Sequence, residues 1–202
     1  MGLLAADELR LARLTVDQVH AMVDAGILRE GEAIELIDGV LICKDRSTLG
    51  EDPMTIGKRH NLVVKLLARL DGDLVARGYH MQTQGPLQLS AYDEPEPDAV
   101  ILRGDPRSYA DRLPGSADAE TVIEVADSSL EHDRTTKLVL YARAGIGQYV
   151  IVNLRDACVE VHERPQREAG RYSDVAVVHA GQLVPFRVGD ERLSVDAALI
   201  LP

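Results

Sequence analysis

Two acidic residues stand in short apolar segments of the sequence, where a charged side chain is costly unless it has a partner. Asp98 opens the apolar run 98–102, and Glu124 lies within the run 121–126. Two carboxylates on neighbouring buried strands repel each other, and a divalent cation is the simplest way to hold both. Oxygen ligands favour Mg²⁺ or Mn²⁺ over zinc. The alternative is structural: Asp98 caps a turn and Glu124 forms an ion pair with an arginine at the end of its strand.

Glu35 is a third candidate, because it interrupts the apolar segment Ile34–Ile37. Side chains alternate along a strand, so Glu35 and Leu36 point to opposite faces of the sheet. Taken by itself, Glu35 is most simply explained by a solvated outer face that has no function.

Lys137 falls one helical turn after Asp133 and one turn before Tyr141, so the three residues share one stripe of a predicted helix. In one interpretation Asp133 and Lys137 form a surface pair that contributes a few tenths of a kcal/mol. In the other, Lys137 reaches the carboxylates, because its helix begins just after the segment that holds Glu124. There it would stabilise negative charge on a phosphoryl group.

Lys58, Arg59 and His60 form a basic group at the start of a predicted helix. A helix N-terminus attracts anions, so the three residues could form a phosphate-binding edge, with His60 as a phosphate contact or proton carrier. A histidine at a helix start is more often structural, and that alternative stays open.

The surrounding pattern predicts the elements that position these residues. Thr15 and Gln18 form a capping box that opens a helix through about Ala25. Two β-prone runs, Ile34–Ile37 and Val40–Cys43, flank an Asp-Gly pair and predict a hairpin. Residues 44–57 are predicted to form a loop. Apolar spacing over residues 59–77 predicts one amphipathic helix.

The second half of the chain alternates between strand and helix patterns. Strands are predicted at residues 79–83, 87–91, 98–102, 121–126 and 149–154, with a loop over 103–119. Ser128 and Glu131 predict a cap for a helix that ends at about Ala144, before Gly145. Strand, helix and strand in succession form a βαβ unit with a right-handed crossover. From Cys158 onward the sequence predicts edge strands joined by turns.

Length and composition narrow the classes of protein. A chain of 202 residues without an internal repeat or linker is expected to form one domain, residues 1–202, around a core of about 33–154. Scarce aromatic residues argue against a base-stacking platform. A net charge of −11 disfavours binding to long duplex DNA, although a local basic rim and a bound cation could dominate near the site.

Location and assembly are expectations of the same kind. No signal peptide or stretch of about 18 apolar residues is present, so we expect no membrane association. Two well-separated free cysteines suit a reducing compartment, and we therefore expect a cytoplasmic protein. Residues 15–28 lack the basic recognition helix of a helix-turn-helix transcription factor. The apolar C-terminal strands are expected to need a partner, so a homodimer is expected.

Four segments together resemble the Uma2 family, also called DUF820, of the PD-(D/E)xK restriction-endonuclease-like superfamily. They are AIELIDGVL (33–41), RHNLVVKLLARL (59–70), EPDAVIL (96–102) and VIEVADSSLEHDRTTKLVLYARAGIGQYVIVNL (122–154), spread over about 120 residues. The resemblance implies an α/β fold with a restriction-endonuclease-like mixed β-sheet flanked by helices.

The resemblance also implies roles for the residues. Asp98 and Glu124 would be the metal-binding acids, with the carbonyl of Val125 as a further ligand to Mg²⁺ or Mn²⁺. Glu35 would complete the acidic pocket. The superfamily lysine stands two residues after the second acid, where this sequence has Ala126, and the Uma2 arrangement makes Lys137 the candidate instead.

The implied activity is metal-dependent hydrolysis of phosphodiester bonds in nucleic acid, with DNA the expected substrate. The catalytic residues would be Glu35, Asp98, Glu124 and Lys137. His60, Lys58, Arg59 and Tyr141 would bind the substrate. The alternative is a non-catalytic interaction or scaffold protein that retains the nuclease fold. Net charge favours this alternative, and the complete set of four site residues disfavours it.

Overall fold

A six-stranded sheet forms the centre of the computed structural model, which describes residues 12–29, 31–43 and 57–202. The helices are α1 (Val16–Asp24), α2 (Lys58–Ala68), α3 (Asp71–Val75), α4 (Leu130–His132), a π-helical turn (Asp133–Lys137) and α5 (Leu138–Ala144). The strands are β1 (Ile34–Ile37), β2 (Val40–Cys43), β3 (Tyr79–Thr83), β4 (Ala99–Arg103), β5 (Ala119–Ala126), β6 (Gln148–Asn153), β7 (Cys158–Gln166), β8 (Arg171–His179), β9 (Leu183–Val188) and β10 (Glu191–Asp196).

The order of strands in this sheet is β3-β4-β5-β6-β7-β8. Only β5 and β6 run parallel, and the helical segment from α4 to α5 connects them. All eight residues of β5 and all six of β6 are buried, as expected for strands that are covered on both faces. The predicted α/β fold with a mixed sheet flanked by helices is confirmed.

Each face of the sheet packs against a separate apolar cluster. On one face α2, α3 and the β9–β10 hairpin cover residues such as Ile101, Ile123 and Val150. On the other face the α4–α5 segment covers Val122 and Ile151. Glu124 pairs in register with Ile151, so it lies on the face that the α4–α5 segment covers.

The N-terminal predictions are confirmed in detail. Thr15 caps α1 with the reciprocal bonds of a capping box to Gln18. The β1–β2 hairpin turns at Asp38 and Gly39, whose φ angles of 52° and 73° suit a tight two-residue turn. A Cβ at position 39 would lie 2.6 Å from the Cβ of Arg13, so glycine is required there. Of the loop predicted over 44–57, residues 44–56 lie outside the described residues.

Two predicted elements were wrong. The single helix expected over 59–77 is two helices, because the Asp71-Gly72-Asp73 sequence has low helix propensity. The Asp71 carboxylate also accepts a hydrogen bond from the Met81 N–H, which fixes α3 against β3. Residues 87–91 form no strand. They turn back onto residues 93–95 instead, where Leu87 donates to the carbonyl of Pro95.

The predicted helix over 128–144 differs in its details. Ser128 makes no capping bond: the helical segment starts at Leu130 after Ser129, without a side-chain cap. Its middle is a π-helical turn, and it ends as predicted at Gly145, which is left-handed. The loop predicted over 103–119 contains a 3₁₀ turn at Pro106–Tyr109.

Only β8 of the C-terminal strands lies at the edge of the large sheet. β7, which was predicted to be an edge strand, lies between β6 and β8. The β9–β10 hairpin packs on the face that α2 covers, so the apolar C-terminal residues fill the core. Among the described residues, no helix is long and apolar enough to cross a membrane.

Candidate active site

Glu35 points into the protein and binds the two elements next to it. Its side chain is 3% exposed, so the solvated outer face that explained it in isolation is wrong. The carboxylate oxygen Oε1 accepts hydrogen bonds from the Glu96 N–H at 2.7 Å and from Lys137 Nζ at 2.6 Å. The β1–β2 hairpin therefore brings an acid to the helix that carries Lys137.

Asp98 and Glu124 lie side by side at adjacent strands. The Asp98 oxygen Oδ2 accepts a 2.8 Å hydrogen bond from the Val125 N–H. Glu124 Oε2 lies 3.4 Å from the Asp98 N–H. The structural alternative for Glu124, an ion pair with arginine, is wrong, because its charged partner is Lys137.

Lys137 joins the two sides of the cluster. Its ammonium group lies 2.6 Å from Glu35 Oε1 and 3.0 Å from Glu124 Oε1, and its side chain is 4% exposed. The interpretation of Lys137 as half of a surface pair is therefore wrong. It is the last residue of the π-helical turn, in which the Leu138 N–H donates to the carbonyl of Asp133. Such turns insert one extra residue into a helix and are frequent at functional sites.

Two tyrosines hold this arrangement from below. The Tyr141 hydroxyl donates to Glu124 Oε1 at 2.7 Å, one helical turn after Lys137. The Tyr149 hydroxyl donates to the Asp133 carbonyl at 3.1 Å, within the π-helical turn. Both rings are fully buried and lie 5.0 Å apart between centroids. Tyr141 therefore contacts a site carboxylate directly, whereas Tyr149 supports the backbone that carries Lys137.

His60 approaches the cluster from α2. Its Nε2 lies 3.0 Å from Asp98 Oδ2. Lys58 and Arg59 precede it and are exposed, and no side chain caps this helix start. The structure therefore brings His60 into the cluster and leaves Lys58 and Arg59 at its rim.

Asp133 is a site residue that the sequence alone did not identify. Its side chain is buried, and its charge contributes to raising the pKa of both His60 and Glu124. Its position one turn before Lys137 was the available signal, but that spacing is equally typical of a surface ion pair. Burial, which the sequence did not reveal, distinguishes the two cases.

Burial and crowding of charge shift the pKa values in this cluster. Burial raises the pKa of Glu124 to about 8; Lys137 opposes the shift, and the charges of Asp98, Asp133 and Glu35 add to it. Burial opposes protonation of Lys137, but Glu124 and Glu35 outweigh it and raise its pKa, so the lysine stays charged. Burial also lowers the pKa of His60, yet the hydrogen bond and charge of Asp98 outweigh it and raise the pKa.

The donor set is compatible with a hard divalent cation. Four carboxylates, from Glu35, Asp98, Glu124 and Asp133, face Lys137 and His60, so negative charge is in excess. Lys137 engages Oε1 of both glutamates, which leaves Asp98 Oδ1 and Glu124 Oε2 as oxygens for another partner. Within the described ranges, no three His, Cys, Asp or Glu side chains already stand in a metal-binding arrangement.

A separate cleft of about 450 Å³ lies on the other side of β1. Ile34 and Leu36 line it, whereas Glu35 between them points into the acidic cluster. The larger cavity is therefore not where the chemically active side chains meet.

A buried Lys–carboxylate cluster on a mixed sheet of this topology defines a nuclease-like α/β protein. The sequence profile of the Uma2 family, described as "Putative restriction endonuclease", matches residues 16–189. The chain belongs to the Uma2 family. The resemblance seen in the sequence is thereby confirmed.

Structural comparison agrees on the fold. A crystal structure from Anabaena variabilis ATCC 29413, described as a "putative nuclease belonging to DUF820", superimposes with a TM-score of 0.63 at 16% sequence identity. The match covers 93% of this chain and 97% of that chain. At this identity the likeness shows the fold alone. The search of curated proteins gave no match.

Proposed function

We propose that this protein is a metal-dependent endonuclease of the PD-(D/E)xK type, which hydrolyses phosphodiester bonds in nucleic acid. One observation carries the proposal: the buried Lys137 ammonium lies between Glu35 and Glu124, next to Asp98. The superfamily position for lysine holds Ala126, but Lys137 supplies the same positive charge beside the second acid.

In this proposal Asp98, Glu124 and the carbonyl of Val125 hold one Mg²⁺ or Mn²⁺ ion. When bound, such an ion lowers the pKa of a coordinated water and polarises the phosphate. Tyr141 holds Glu124 in place through its hydroxyl, and the Val125 N–H holds Asp98. These two bonds restrict both carboxylates to one orientation, which favours ion binding over collapse onto Lys137.

Lys137 stabilises negative charge that develops on the phosphoryl group, and Glu35 keeps its ammonium aimed at the site. His60 orients Asp98 and lies at the entrance of the cluster. Lys58 and Arg59 contact phosphates outside the scissile bond, at the uncapped start of α2. We expect DNA as the substrate, with the local basic rim offsetting the net charge of −11.

The test is a cleavage screen with Mn²⁺ over single-stranded, duplex and branched DNA and RNA. Asp98→Ala and Lys137→Ala should each lower the rate about a hundredfold or more. Glu124→Gln should do the same, whereas Glu120→Gln should not. Glu120 is a matched control, because it is a buried glutamate of the same strand that pairs with Arg103 and Arg187 instead. An unchanged rate in both Asp98→Ala and Lys137→Ala would show that these residues have been wrongly assigned.

A second candidate function is a non-catalytic scaffold that retains the fold. The internal pairing of Lys137 with Glu35 and Glu124 favours it, because the network is satisfied without an added ion. The strongly acidic surface also favours it. Absence of both Mn²⁺ binding at millimolar concentration and cleavage in the screen would support this candidate.

A further inference from the structure

The outer edge of the large sheet is a long exposed strand. β8 spans nine residues, Arg171–His179, and pairs only on the side of β7. Residues 173–177 are five consecutive exposed residues, with Val175 59% and Val177 54% exposed. Proteins usually protect such an edge with lysine, proline, a bulge or a covering element, because its free N–H and C=O groups are a template for another strand.

The opposite edge of the same sheet is protected in this way. β3 has five residues, and the Asp71 carboxylate accepts a 2.8 Å hydrogen bond from the Met81 N–H. Helices α2 and α3 also pack against β3. No such contact is found for β8 within the part of the chain that the structure describes: its main chain between Tyr172 and Val178 bonds to no element other than β7. The difference between the two edges indicates that β8 is meant to be covered.

We propose that β8 pairs antiparallel with β8 of a second copy of this chain, about a two-fold axis through Val175. Val175 is the central residue of Arg171–His179, so this axis pairs the strand along its full length. Such an interface is isologous, because the same segment contributes both sides.

This register is compatible with the charges of the strand. Ser173 lies opposite the partner's Val177, and Asp174 lies opposite the partner's Ala176. Arg171 lies opposite the partner's His179, so no two acids and no two arginines face each other across the pair. Asp174 is already neutralised by Arg164 of β7, whose Nε lies 3.1 Å from its carboxylate. The apolar residues Val175 and Val177 of both copies meet at the centre.

The pairing also places the two acidic clusters in a defined relation, a consequence that matters if the proposed nuclease function holds. The axis is perpendicular to the sheet, so both clusters lie on the same face. Three strand intervals separate β5 from β8 in each copy, and one new interval joins the copies. Seven intervals of about 4.8 Å place the two sites at most about 34 Å apart, which is close to one turn of duplex DNA. We infer that the dimer engages one duplex at two positions.

Sedimentation equilibrium without metal or nucleic acid tests the pairing independently of catalysis. The wild type should sediment at twice the chain mass of 22.1 kDa at tens of micromolar protein. Val175→Lys should raise the dimer dissociation constant about tenfold or more, because it places two ammonium groups at one axis. Val75→Lys is the matched control, since Val75 is also 59% exposed but lies in α3, and this variant should remain a dimer. A monomeric wild type, or a dimeric Val175→Lys variant, would overturn the proposal.

A cross-link tests the register. In a background in which the exposed Cys43 is replaced by serine, Val175→Cys should form a disulfide-linked dimer on mild oxidation, because position 175 faces itself across the axis. Val75→Cys should not. A Val175→Cys variant that is dimeric by sedimentation but fails to cross-link would contradict this register. Cleavage assays on the same variants then report on the nuclease function separately.

Discussion

Lys137 carries a positive charge into a region where four carboxylates lie close together. Its ammonium reaches Glu35 and Glu124, and burial of all three side chains makes this contact far stronger than a surface pair. The lysine has two effects at once. It offsets the repulsion between acids, and it places a cation beside the group that we assign to metal binding.

Replacement of Lys137 by methionine is expected to destabilise the protein, because it leaves buried carboxylates without their counter-charge. We expect the free energy of unfolding to fall by about 3 kcal/mol at neutral pH. Urea denaturation measures this loss. The control is Lys65→Met, at an exposed position of α2, which should change stability by less than about 0.5 kcal/mol. A Lys137→Met variant as stable as the control would contradict the buried ion pair.

Glu160 makes a second buried ion pair that gives the fold a dependence on pH. Burial would raise the pKa of its carboxyl, but contacts with His162, Arg134 and Asn153 outweigh burial and lower the pKa to about 2. Arg134 binds it through two hydrogen bonds of 2.7 and 3.1 Å, and Asn153 through one of 2.8 Å. His162 lies farther away, at 3.8 Å.

Because this pKa lies below the unfolded value of 4.5, the stabilisation is present above pH 4.5 and is lost as pH falls toward 2. Between pH 7 and pH 3 the wild type should lose about 2 kcal/mol more than Glu160→Gln, whose side chain does not titrate. Denaturant titrations at the two pH values measure the difference. Equal losses in the two proteins would show that Glu160 has no depressed pKa.

At the scale of elements, the π-helical turn is the feature that places Lys137. It inserts an extra residue between α4 and α5, and the Tyr149 hydroxyl contacts its first carbonyl, that of Asp133. Tyr149 touches none of the site carboxylates through a hydrogen bond, so we assign it as a positioning residue.

Tyr149→Phe tests that assignment against a matched change, Tyr172→Phe. Both hydroxyls are buried and donate to one main-chain carbonyl, that of Asp133 or that of Ile146. Each variant should lose about 1 kcal/mol of unfolding free energy. Only Tyr149→Phe should also lower the rate of Mn²⁺-dependent cleavage, about tenfold, with little change in KM. Equal activity in the two variants would mean that the Tyr149 contact is merely structural.

Local patterns predicted those elements whose signals are local. The capping box at Thr15 and the Asp38-Gly39 hairpin lie where the sequence placed them. The break before Asp71 and the π-helical turn were missed, because contacts with β3 and β6 fix them. Glu35 behaved likewise: one strand pattern suits either a solvated or a buried face, and the packing of Lys137 decides between them. The site residues were found because the family motif relates segments that are distant in sequence.

At the scale of the whole molecule, a net charge of −11 opposes binding to a polyanion. The proposed function therefore requires a local basic surface, and Lys58 and Arg59 at the start of α2 are the residues beside His60 that can supply it. Their contribution should appear in the salt dependence of binding rather than in the chemical step.

Replacement of both Lys58 and Arg59 by alanine should weaken duplex DNA binding and reduce the slope of log affinity against log salt by about two. Fluorescence anisotropy in Ca²⁺, over a range of salt concentrations, measures both quantities. Lys65→Ala combined with Arg107→Ala removes the same charge at two other exposed positions and should leave the slope unchanged. Equal slopes in the two double variants would exclude α2 as the phosphate-binding edge.

The most direct test of the central claim is to locate Mn²⁺ by anomalous scattering from crystals of the wild type and of Asp98→Ala. The account predicts a peak within coordination distance of the Asp98 and Glu124 carboxylates in the wild type, which disappears in Asp98→Ala while the Lys137–Glu35 contact remains. A wild-type crystal with no peak at this position, or an unchanged peak in Asp98→Ala, would contradict it.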